Sequence, residues 1–120
     1  MADQYFSAVQ SGDITGALSL YSDRFYGVTA RDKWTDFLND VRRRCGAPKS
    51  HSLTTWNVAN MFGMNNGIRA TLVYSVLYSS CKMTETMTIF IPDGEAGKIE
   101  GHFFNREPVT LSGSETTTTT

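Results

Sequence analysis

The chain has 120 residues, with 11 basic and 12 acidic side chains and a formal net charge of −1. That length fits one domain with a real core and little to spare for a second. The near-neutral balance supplies no long-range field for nucleic acid or an anionic membrane, and no run approaches the roughly 18 apolar residues of a membrane-spanning helix. Met1-Ala2-Asp3-Gln4 lacks the basic start and apolar run of a secretory leader. Two compartments stay open: the cytoplasm, or an exported or periplasmic setting reached with a leader since removed.

Three helix patterns fill the first 45 residues. From Ala2 to Gln10, Tyr5, Phe6 and Val9 share one side at helical spacing, and Ser11-Gly12 stops the pattern. Asp13 is a suitable N-cap for a second helix with Ile14, Ala17, Leu18 and Tyr21 on its apolar side. Ser22-Asp23 interrupts it, and Phe25-Tyr26 should fold back onto the core before Gly27. In the third helix, Thr29 and Asp32 resemble a capping box, and Trp34, Phe37, Leu38, Val41 and Cys45 form a core-facing stripe. Gly46 suits the C-terminal cap and Pro48 prevents continuation. Arg42, Arg43 and Arg44 read as a last turn complementing the helix dipole, or as a basic patch.

Strand patterns follow. Ser50 to Phe62 is rich in Thr, Val and aromatic residues, and Asn65-Asn66-Gly67 is a hairpin signal because Asn and Gly tolerate positive φ. Ile68 to Tyr78 alternates, with Ala70, Leu72, Tyr74, Val76 and Tyr78 on one side. On the other side, Val73 and Leu77 break the polarity of Arg69, Thr71, Ser75 and Ser79. Thr84 to Ile91 sets Thr84, Thr86 and Thr88 against Glu85, Met87, Ile89 and Ile91, which are taken as inward. Pro92-Asp93-Gly94 and Gly97 make the next turn. In Lys98 to Asn105, Ile99, Gly101 and Phe103 share one side, with Lys98, Glu100, His102 and Phe104 on the other.

The short connections predict an antiparallel meander, and the helices are the only cover for its apolar side. The expected fold is α+β: three N-terminal helices on a curved four-stranded antiparallel sheet over residues 1–108, with a disordered Thr-rich tail at 109–120. Cys45 reads as a small buried hydrophobe. Cys81, in the polar turn Ser79-Ser80-Cys81-Lys82, is expected at the surface. A bridge between the two is open, and would favour an oxidising compartment.

Tyr5-Phe6-Ser7-Ala8-Val9-Gln10-Ser11-Gly12-Asp13, then Ala17-Leu18 and Tyr21-Ser22, resembles the opening of nuclear transport factor 2-like domains. Gly97-Lys98-Ile99-Glu100-Gly101-His102-Phe103 is similar to the last strand of that superfamily, usually W-(K/R)-I-x-G-(Y/F), although Gly97 stands where Trp is usual. The Trp34…Leu38…Gly46 helix and the strand starts Ser50-His51-Ser52-Leu53 and Thr84-Glu85-Thr86 look like small bacterial members of unknown function. Many of those follow a lipoprotein or secretory leader. The resemblance covers roughly residues 4 to 106. It implies a curved sheet wrapped on helices, often with a conical pocket and often dimerised through the sheet's outer side. It implies no reaction, since the fold hosts isomerases, dehydratases, hydrolases and binding modules alike.

Members such as ketosteroid isomerase place a carboxylate base and Tyr or Asp donors in an apolar cone. The counterpart here is Glu85, a rim residue paired with Arg44 or another cation, a polar pocket anchor, or a general base. Tyr74 and Tyr78 point inward, as core residues with satisfied hydroxyls or as groups that orient a ligand. Trp56 with Phe62 forms core packing under the helices or an aromatic platform. The candidate ligand-binding residues are therefore Trp56, Tyr74, Tyr78 and Glu85.

His102 shares its side with Lys98 and Glu100 and is expected on the outer face. His51 is expected near the surface, and the two histidines make no metal site. No cofactor is implied, and no nucleophile elbow or phosphate loop is present. The reading favours a non-enzymatic binding or accessory module for a small apolar ligand or protein partner. It allows a homodimer through the outer sheet side, where Val73, Leu77 and Phe104 would leave apolar patches. An isomerase- or dehydratase-type enzyme and a purely structural interaction module are the alternatives.

Overall fold

The computed structural model describes residues 2–63 and 66–106. Four helices, α1 (Ala2–Ser11), α2 (Ile14–Leu18), α3 (Asp23–Val28) and α4 (Arg31–Cys45), precede four strands. These are β1 (Pro48–Met61), β2 (Gly67–Tyr78), β3 (Lys82–Pro92) and β4 (Lys98–Arg106). The strands pair antiparallel in the order β1-β2-β3-β4, as their short connections require. The expected α+β architecture is present with one helix more than the sequence suggested. Phe25 and Tyr26 lie in α3, whose start is capped by the Ser22 hydroxyl accepting from the Phe25 N–H at 3.0 Å.

The other caps follow from local chemistry. Asp13 accepts from the Gly16 N–H at 2.9 Å and starts α2. The Thr29–Asp32 capping box does not form. Thr29 instead closes α3, its N–H bonded to the Phe25 carbonyl at 2.9 Å, so Ala30 caps α4 without a side-chain bond. Along α4, Trp34, Leu38, Val41 and Cys45 are buried, each apolar side chain of this size contributing on the order of 1.5–3 kcal/mol. Phe37, on the same stripe, sits at the margin, stacked on Trp34 and edge-on to Phe104. The three arginines are absorbed locally. Arg42 donates to the Val9 carbonyl near the end of α1, and Arg43 and Arg44 both pair with Asp40.

Helix α4 ends at Gly46, whose φ of +82° only glycine adopts freely, and a Cβ there would meet Ser79 at 2.7 Å. The Ser80 N–H bonds the Cys45 carbonyl at 2.8 Å, which brings the β2–β3 turn against the helix end. Cys45 and Cys81, with Cα atoms 5.1 Å apart, are joined in a disulfide. Cys81 is consequently buried, not exposed as its polar neighbours suggested, because the bridge draws the turn beneath α4.

Of the hairpin signal, Asn65 lies outside the described residues. Asn66 Oδ1 accepts from the Gly63 N–H at 2.8 Å, and Gly63 has the positive φ, +115°. Gly67 is extended; it is needed for close approach, since a Cβ would stand 2.4 Å from the Ile91 carbonyl oxygen. The tail expected at 109–120 also lies outside the described residues.

The helices cover one sheet face. Tyr74, Val76 and Tyr78 on β2, Met83, Met87 and Ile89 on β3, and Ile99 on β4 are buried there. The cover is partial. Leu53, Trp56 and Val58 on β1, Ile68 on β2 and Ile91 on β3 share that face by register and are exposed, because they lie towards the β1–β2 turn, away from the helices.

The bridge closes a loop of 36 residues in sequence, so losing it should cost about 2–4 kcal/mol, mostly through a freer unfolded chain. Urea unfolding of the Cys45→Ala/Cys81→Ala double variant should show that loss, and adding a reductant should reproduce it in the wild type but leave the variant unchanged.

Candidate functional site

The deepest polar group in the described structure is Glu85. Its position on β3 turns it inward with Met87 and Ile89, and α1 and α4 roof it to 0% exposure. A carboxylate at that depth survives only if its oxygens are satisfied. Tyr78, at the end of β2, donates its hydroxyl to Oε2. His102, on β4, meets Oε1 through Nε2 at 2.7 Å. Its Nδ1 lies 2.6 Å from the Tyr21 hydroxyl, which hangs from the segment joining α2 to α3. With the carboxylate as acceptor, Nε2 carries a hydrogen, and a neutral ring then leaves Nδ1 to accept from Tyr21. The result is a continuous chain, Tyr78–Glu85–His102–Tyr21, drawn from four elements.

His102 was expected on the outer face, and the structure turns it inward. The register explains why: Ile89 pairs with Ile99 but Thr88 with Gly101, leaving Glu100 as an extra residue. The bulge reverses the alternation, so Ile99 and His102 are both buried, Phe104 turns in beside His102, and Phe103 is 70% exposed outside. Phe104 is therefore absent from the outer patch where the alternation placed it. A glycine within a strand, here Gly101, is the signal that could have revealed the bulge.

The rim pairing expected for Glu85 is also overturned. Arg44 is held by Asp40 on its own helix, while Glu85 lies beneath the helical roof, engaged by Tyr78 and His102. Aromatic rings close the network in: Tyr5 stands edge-on to His102 with centroids 4.9 Å apart, and Phe104 stacks on it at 4.3 Å. The buried Trp34 indole N–H has no aligned acceptor among the described residues. Burial pushes the Tyr5, Tyr21 and Tyr78 hydroxyls well above the ordinary tyrosine range, and for Tyr78 the adjacent Glu85 charge adds to the rise. Burial also raises Tyr26 and Tyr74.

The space beside Tyr78, lined also by Tyr5, Val9, Leu38, Val41 and Phe104, is about 20 Å³, room for roughly one water.

Of the four candidate residues, the structure joins Tyr78 and Glu85 and leaves two apart. Tyr74 is the register partner of Glu85, but its ring packs on Phe6 and His51. Trp56 is 64% exposed on β1 and Phe62 is 85% exposed, so neither packs in the core, because the helices stop short of that part of the sheet. His51 stacks on Phe6 at 4.2 Å and meets Asp3 at 3.2 Å. Among the described residues no three His, Cys, Asp or Glu side chains gather as metal ligands would. No described helix is long and apolar enough to cross a membrane.

No family model and no curated protein matches this chain. Among solved structures, that of Bd1075 from Bdellovibrio bacteriovorus is similar, with a TM-score of 0.60 and 12% sequence identity. The match covers 89% of this chain and 38% of that one, so this chain spans well under half the length of Bd1075. A likeness at that identity concerns the fold alone.

Two outcomes follow from the network. Glu85→Gln puts an NH₂ donor against one of two existing donors, so it should cost on the order of 1–3 kcal/mol in urea unfolding. The second concerns pH. The raised tyrosines keep their protons in the folded state, while the unfolded chain releases them near its ordinary pKa of about 10. Stability is therefore full below about pH 10 and falls as pH rises beyond it. Phenolate absorbance should stay low in the native protein through that point and then appear together with loss of near-UV circular dichroism. In urea it should rise smoothly near pH 10.

Proposed function

We propose that this chain is a non-enzymatic interaction module of the nuclear transport factor 2-like kind, which docks a protein partner on the uncovered half of its inner sheet face. The observation that carries this reading is the exposed apolar strip of Leu53, Trp56, Val58, Ile68 and Ile91, on a face that elsewhere forms the core. Contiguous exposed apolar surface of this kind marks interaction sites. An aromatic anchor such as Trp56 suits it, since Trp carries a disproportionate share of binding energy at protein interfaces.

The enclosure of Glu85 supports a structural role for it. A pocket base must reach its substrate, whereas this carboxylate is fully enclosed and both its oxygens are engaged. That weighs against the isomerase or dehydratase alternative. A groove of about 210 Å³ beside α4, lined by Phe37, Val41, Met83 and Phe104, falls below the roughly 300–1,000 Å³ of typical small-molecule sites. That weighs against a small apolar ligand in this groove. The Cys45–Cys81 bridge supports an oxidising compartment, as in an exported or cell-envelope setting.

A photoreactive benzoyl-phenylalanine at position 91, expressed in the native host, should cross-link a protein other than a second copy of this chain. Ile68→Asp should abolish that product, and the same probe at Thr71 on the opposite face should give none. Equal cross-linking from Thr71, or none from position 91, would overturn the docking face.

A further inference from the structure

The two edges of the sheet are built differently. The start of the β4 edge is occupied: the Leu20–Ser22 segment bonds to it through the Ile99 N–H to the Leu20 carbonyl and the Ser22 N–H to the Ile99 carbonyl, both at 2.9 Å. The rest of β4 carries the Glu100–Gly101 bulge and ends at Arg106. Covers, bulges and charges of this sort keep an edge from pairing.

Past its first residues, strand β1 has no described cover and no charge, and one register irregularity. It runs for 14 residues, and from Ser50 to Met61 it contains no Pro, Lys, Arg, Asp or Glu; His51 is its one ionisable group. Every residue from 51 to 60 is exposed, and no described element pairs with its free side. The irregularity near Leu53/Thr55 leaves a regular stretch, Thr55–Met61, beyond it.

We infer that the free edge of β1 pairs antiparallel with β1 of a second copy about a two-fold axis, joining two four-stranded sheets into one. Charge selects this occupant. Near a two-fold axis each side chain meets itself or a close neighbour, so any charge there would face its like; Thr55–Met61 carries none. Closure selects it too. Among the described residues the β4 edge is covered at its start and bulged after it, which opposes a head-to-tail chain of β1 on β4, whereas a two-fold β1–β1 pairing closes at two.

Opposed residues in a continuous sheet must share a face, which requires the numbers of each pair to sum to an even value. The widest pairing of Thr55–Met61 that obeys this centres on Val58, with Trp56 of one copy opposite Asn60 of the other and Asn57 opposite Ala59. The two apolar strips then lie side by side on one surface.

Light scattering during size exclusion should give twice the 13.3 kDa chain mass at micromolar concentration. Val58→Lys should return the mass to one chain by setting two ammonium groups near the axis, with the far-UV spectrum unchanged. Leu77→Lys, on the outer face, should remain dimeric. Hydrogen exchange on the wild type adds a readout without substitution: alternate β1 amides, those pointing away from β2, should be protected and lose protection on dilution. A single-chain mass at all concentrations, or a dimer dispersed by Leu77→Lys and untouched by Val58→Lys, would overturn the pairing. The edge and the docking strip are separable. A monomer that still cross-links from position 91 overturns the pairing alone, and a dimer that captures no other protein overturns the docking alone.

Discussion

The buried carboxylate of Glu85 sets the terms for the interior. Removing such a group from water costs several kcal/mol unless its oxygens are met, and a half-satisfied polar cluster is worse than an apolar core. Here Tyr78 and His102 meet both oxygens, and Tyr21 completes the imidazole. The four side chains come from the α2–α3 segment and three different strands, so the network forms only when the sheet registers and the helical roof are all correct. It acts as a lock on the fold, and a space of about 20 Å³, room for roughly one water, lies beside Tyr78.

Two covalent or backbone devices make that lock possible. The bulge at Glu100–Gly101 turns His102 inward on β4; without it the imidazole would face solvent and Glu85 Oε1 would lose the partner it has here. The disulfide fastens the end of α4 to the β2–β3 turn, close in sequence to Tyr78, and so holds one end of the roof over the network. Aromatic residues of the helices then pack around it, with Tyr5 and Trp34 against the His102 ring.

A roof of short helices cannot cover strands of up to 14 residues, which rise about 3.3 Å per residue against 1.5 Å for a helix. The sheet therefore outruns its cover, and the same face that is core at one end is open apolar surface at the other. The functional proposals rest on this mismatch: Trp56 and its neighbours are available to a partner, and β1 has an edge with nothing described to pair it.

Much of the fold could be read from residue order. Helical spacing marked Tyr5, Phe6, Val9, Trp34, Leu38 and Val41 as core, and two-residue alternation placed Tyr74, Val76, Tyr78, Glu85, Met87 and Ile89 on the covered side, because those periodicities are local properties of the chain. Alternation could also bring Glu85 and Tyr78 to one face. It could not supply their partner: His102 depends on an extra residue in the pairing of two strands, which no single strand's pattern contains. Nor could it tell that Trp56 is exposed while Tyr74 is buried, since both sit on the same face and differ only in how far the helices reach. Local spacing thus determined which side of each early element is apolar, whereas the register of β4, the depth of Glu85 and the overhang of β1 were decided by contacts between segments distant in the chain.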